Sequence, residues 1–126
     1  MPLRPKHIGN ALYGMQSMRS DSEEACAMFS SLLPKIKCCQ DNWISQDIGM
    51  ALFGMQGMSS NKYAVCAVLV ALAPKIENCS PLDQQAVGNI LYSMKNISSV
   101  HHEVCVFYQH LYHILIYAAI NLQNRI

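Results

Sequence analysis

Apolar residues recur along this chain at helical spacing. Ile8, Ala11, Leu12 and Met15 fall at i, i+3, i+4 and i+7, and so do Ile48, Ala51, Leu52 and Met55, then Val87, Ile90, Leu91 and Met94. That spacing marks one face of a 3.6-residue period and predicts three short amphipathic helices. A second set of apolar stripes lies between them. Cys26, Phe29, Leu33 and Ile36 are matched by Cys66, Leu69, Ala73 and Ile76, which predicts a longer helix after each short one. Ser20-Asp21-Ser22-Glu23 reads as a capping box opening the first long helix. Ser80-Pro81 reads as the start of the third short helix, with proline in the first turn. Pro34 and Pro74 stand three-quarters along the long helices, where a missing N–H predicts a bend or a stop.

The stripes repeat with their sequence. Gly-Asn-Ala-Leu-Tyr-Gly-Met-Gln-Ser-Met at 9–18 returns almost unchanged at 49–58 and more loosely at 88–97. When 3–39 is aligned with 43–79, 16 of 37 positions are identical. A fixed period of 39–40 residues, each unit a pair of helices, predicts an all-α fold: an α-solenoid of about three helix-turn-helix repeats. The repeats span about 3–41, 42–80 and 81–120 of a single helical-repeat domain, 1–126. Gly9, Gly49 and Gly88 sit near the starts of the short helices, and Gly14 and Gly54 follow five residues on, with Ser93 in the third repeat. Helical glycine costs about 1 kcal/mol relative to alanine, so its recurrence predicts close backbone approach between packed helices. The third long helix departs from the pattern. His113 replaces the repeat proline and 111–122 is strongly apolar, yet shorter than the ~20 residues of a membrane span. This stretch is expected to cover the end of the stack, to meet further repeats, or to self-associate.

On each short helix a second row runs opposite the apolar face. It comprises Lys6, Asn10, Tyr13 and Ser17, then Gln46, Met50, Phe53 and Gly57, then Gln85, Asn89, Tyr92 and Asn96. Stacking the repeats would align these rows into one ligand face, with an aromatic ladder Tyr13–Phe53–Tyr92 flanked by amides. Aromatic rings stack bases and amides read base edges in single-stranded RNA readers. The same rings also suit packing between neighbouring helices. Lys35 and Lys75 follow the repeat prolines, where a cation suits a helix C-terminus or could meet a phosphate.

Composition narrows the classes. At 52% hydrophobic and 13% charged residues the chain is too apolar for disorder. Its formal charge of +1 lacks the basic surplus that phosphate binding favours. The six cysteines form no Cys-x-x-Cys pair, which argues against zinc. Cys26, Cys66 and Cys105 share one repeat position and Cys39 and Cys79 another, as small buried residues would. With no signal peptide in the opening residues, an intracellular, reducing compartment is expected. His110 and His113 lie one helical turn apart without a third ligand, so no metal is expected. No nucleophile motif and no glycine-rich phosphate loop occurs, so neither catalysis nor a cofactor is expected.

The string 8–16, Ile-Gly-Asn-Ala-Leu-Tyr-Gly-Met-Gln, together with 87–95, Val-Gly-Asn-Ile-Leu-Tyr-Ser-Met-Lys, resembles the helical repeats of octotricopeptide and heptatricopeptide proteins. The resemblance covers almost the whole chain. It implies a paired-helix solenoid of the kind that acts mainly on RNA in chloroplasts and mitochondria. Two ligands follow for the face of Lys6, Asn10, Tyr13, Gln46, Met50, Phe53, Gln85, Asn89 and Tyr92: single-stranded RNA, or a peptide or helix of a protein partner.

Overall fold

A computed structural model describes residues 2–79, 81–98 and 102–124. Among these the chain is all helical: α1 (Pro5–Tyr13), α2 (Glu23–Cys38), α3 (Ser45–Phe53), α4 (Tyr63–Glu77), α5 (Gln84–Ser93) running into a 3-10 turn (Met94–Asn96), and α6 (His102–Asn124). The short helices pack in one row, α1 on α3 and α3 on α5. The long helices pack in a second, α2 on α4 and α4 on α6. Ile8, Leu12, Ile48, Leu52 and Ile90 of the first row, with Met15 and Met55 of the turns that follow α1 and α3, join Phe29, Ile36, Val65, Leu69, Ile76, Val104 and Phe107 of the second in one apolar core.

The helix starts differ from the expected ones. Ser22, not Ser20, caps α2: its hydroxyl accepts from the Ala25 N–H at 3.3 Å and donates to the Glu24 carboxylate at 2.9 Å. The Glu24 backbone N–H and then the Ser22 hydroxyl hold the Glu24 carboxyl below its ordinary pKa. Ser20 is buried and its hydroxyl is spent elsewhere, accepting from the Ser59 N–H at 2.9 Å. Ser60 repeats the arrangement with the Ser98 N–H at 2.8 Å. The cysteines of the next turn support it: the Cys26 thiol donates to the Ser20 carbonyl and the Cys66 thiol to the Ser60 carbonyl. The repeated Ser and Cys therefore join one helix pair to the next. In the third short helix Asp83 is the cap, its carboxylate accepting from the Ala86 N–H at 2.8 Å; Pro81 precedes the helix and Ser80 lies outside the described residues. Proline at the first helical position occurs instead in α1, as Pro5.

Pro34 and Pro74 do not stop their helices, which run on to Cys38 and Glu77. The carbonyls they leave without an N–H belong to Ser30 and Val70, both exposed residues that water can reach. The glycines divide by position. A Cβ at Gly54 would stand 1.8 Å from the Leu12 carbonyl oxygen, and one at Gly9 would stand 3.0 Å from the Asp47 carbonyl. Gly49 faces the Ala86 Cα at 3.3 Å, whereas Gly88 meets nothing within 4 Å and Gly14 only its own Ala11 and Asn10 carbonyls. Two expected core residues also fail: Ala11 and Leu91 are exposed, although Ala51, Leu12 and Leu52 are fully buried. The exceptions share a cause. Each lies on an outer helix, on the side where no further helix is packed.

Candidate functional site

The row opposite the core comes together on the outer side of α1, α3 and α5. Tyr13, Phe53 and Tyr92 form a continuous stack, with ring centroids 5.7 Å apart at 26° and 6.0 Å apart at 21°. Phe53, the middle ring, is half-buried, while Tyr13 and Tyr92 are 37% and 51% exposed. The Lys95 ammonium lies 4.1 Å from the Tyr92 ring centre, a cation–π contact. Lys95 follows Tyr92 by three residues, so helical spacing alone puts both on one face. This register follows from the repeat: equivalent residues on helices packed side by side project in the same direction.

An open groove of about 660 Å³ lies between α3 and α5, with Gln46, Met50 and Phe53 on one wall and Gln85 and Asn89 on the other. A second, of about 750 Å³, lies between α1 and α3 and holds Lys6 and Asn10. Both include Gln46 and Met50, so the two meet across α3. Lys6, Asn10, Gln46 and Gln85 are exposed, Met50 and Asn89 half-buried. The fourth position of the row does other work. The Asn96 amide donates to the Gln56 carbonyl at 3.0 Å, and Gly57 lies under the Met18 carbonyl, 2.3 Å from where its Cβ would be. Lys75 is likewise engaged, its ammonium donating to the Cys39 carbonyl at the end of α2.

Acids, outside the expected row, also line this face. Asp41 and Asp47 border the α1–α3 groove and Asp83 the α3–α5 groove. Asp47 accepts from the Ile44 N–H at 3.1 Å, so Asp47 and Asp83 both sit at helix N-termini, where their charge suits the dipole. Asp83-Gln-Gln-Ala86 is a legible N-cap signal. The ring spacing sets a further limit. A base about 3.4 Å thick needs roughly 6.8 Å between flanking ring planes, so the ladder leaves no slot between its members. Tyr13 and Phe53 line the α3–α5 groove instead.

Among the described residues no three His, Cys, Asp or Glu side chains gather as a metal site. No helix searched among them is long and apolar enough to cross a membrane. All six cysteines lie among the described residues and none is in a disulfide. No family model, curated protein or solved structure matches the chain.

Proposed function

We propose that this chain is a non-enzymatic binding module, a short α-solenoid of helix pairs related to the octotricopeptide and heptatricopeptide type, and that single-stranded RNA lies along the face of α1, α3 and α5. The observation that carries the reading is the stacked ladder Tyr13–Phe53–Tyr92, two of whose rings, Tyr13 and Phe53, line a groove that also holds the amides of Gln46, Gln85 and Asn89. Bases lie against the ladder's edges, and Asn10, Gln46, Gln85 and Asn89, each able to donate and accept, read base edges. Arg4, Lys6 and Lys95 are the cations nearest the strand. Three phosphate contacts give a shallow salt dependence, a slope of log K against log salt near −2 at roughly −0.7 per contact.

A peptide or helix of a protein partner on the same face is the second reading. It is favoured by Asp41, Asp47 and Asp83, which border the grooves and would repel phosphate, and by a net charge of only +1. Titration of a labelled single-stranded RNA pool separates the two. RNA binding predicts an affinity that weakens with salt at that slope and falls in Tyr13→Ala/Tyr92→Ala, which removes two of the three rings that bases would lie against. No binding even at low salt defeats the RNA reading and leaves the peptide.

A further inference from the structure

We infer that the two ends of the molecule are complementary halves of one interface, and that a second copy of this chain docks there head to tail. The partner's α1–α2 end seats on the α5–α6 end. The inference uses the helix-pair packing and is independent of what the groove binds.

The same interface occurs inside the chain. Gly54 and Lys75 meet the first helix pair, and Ala51, Val68 and Leu72 lie at helical spacing from them on the same side of the second. Ala51, Val68 and Leu72 are fully buried, Gly54 lies against the Leu12 carbonyl, and Lys75 holds the Cys39 carbonyl. Forty positions earlier stand Ala11, Gly14, Met28, Leu32 and Lys35, identical at four of the five. There most of them lie open: Ala11, Gly14 and Lys35 are exposed, Met28 is 44% exposed, and Leu32 is half-buried where Leu72 is fully buried. Gly14 is the telling residue. Its backbone is right-handed helical (φ −62°), which any residue adopts, and an added Cβ would meet only its own helix's carbonyls at 3.4 and 3.5 Å. Nothing in the isolated chain requires glycine there. At Gly54 the requirement is a neighbouring backbone.

The other end carries the receiving half. Gly9 and Gly49 are each met by the backbone of the next short helix, and Leu12 and Leu52 are fully buried. Their counterparts Gly88 and Leu91 are exposed, Leu91 at 58%, and a Cβ at Gly88 would meet nothing within 4 Å. On α6, Tyr112 is 63% exposed where its counterpart Ala73 is buried. Each end thus offers the surface that its opposite covers inside the chain. A head-to-tail contact of this kind leaves one half open at each end and so extends with concentration.

Sedimentation velocity over a hundredfold range of concentration tests this, with two variants that each block one half. Gly14→Leu fills the cleft on α1, and Leu91→Lys charges the seat on α5. The parent chain is expected to grow from its 14.1 kDa monomer into a series of larger species. Each variant alone is expected to stay monomeric, with its helical circular dichroism unchanged. An equimolar mixture keeps one intact half on each partner and is expected to stop at the heterodimer. A parent chain that remains monomeric at every concentration overturns the inference. So do variants that associate like the parent, or a mixture that fails to pair.

Discussion

Glycine has opposite consequences at equivalent positions of this chain. Gly54→Ala would drive a methyl group into the Leu12 carbonyl, a backbone atom that cannot turn aside. A loss of about 3 kcal/mol is expected, at the upper end for overpacking. Gly14→Ala, one repeat earlier, meets no such neighbour and stiffens the unfolded chain, so urea denaturation should find it neutral or more stable by about 0.5 kcal/mol. Equal effects at the two sites would contradict the packing of α3 on α1. Burial also raises the pKa of the Cys79 thiol above its ordinary 9.0 and of the Tyr108 phenol above 10.0; the phenol donates to the Ile97 carbonyl at 3.0 Å. Both groups are held neutral in the fold, so the folded chain binds their protons more tightly than the unfolded one. Their contribution is complete below about pH 9 and is lost as the pH rises through the folded values. A melting temperature flat from neutral to about pH 9 and falling above it is expected, with a shallower alkaline fall in Tyr108→Phe.

At the scale of elements, the chain is held by side chains that reach from one helix pair to the next. Ser20→Ala removes the acceptor for the Ser59 N–H, and a half-buried donor left without a partner costs about 1 kcal/mol, the low end for an unsatisfied group. Ser22→Ala removes an N-cap, worth about 1 kcal/mol, and acts within α2 alone. Amide hydrogen exchange distinguishes them: Ser59 should lose protection in Ser20→Ala and keep it in Ser22→Ala. Ser20 fits a capping box by its spacing to Glu23, yet the neighbouring pair takes its hydroxyl and the cap falls to Ser22. Pro34 and Pro74 do not stop their helices for a related reason: the carbonyls they orphan belong to Ser30 and Val70, exposed residues that water can reach. The helices themselves were legible, since an i, i+3, i+4, i+7 stripe has no other regular solution.

At the scale of the molecule, a period of 39–40 residues was enough to align Tyr13, Phe53 and Tyr92, because identical helices packed side by side keep their register. Periodicity could not reveal that the rings stack on one another and leave no gap for a base. Nor could it reveal that Ala11 and Leu91, core residues by pattern, are exposed at the ends of the helix rows. Pattern specifies which face turns inward, but burial also needs a neighbour. What the groove holds is the central claim. It is tested most directly by mapping chemical-shift changes in isotope-labelled protein on adding a single-stranded RNA oligonucleotide. The side-chain amides of Asn10, Gln46, Gln85 and Asn89 should shift most, with the tyrosine rings beside them, while α2 and α4 remain unmoved. Shifts confined to the long helices, or none at saturating RNA, would contradict it.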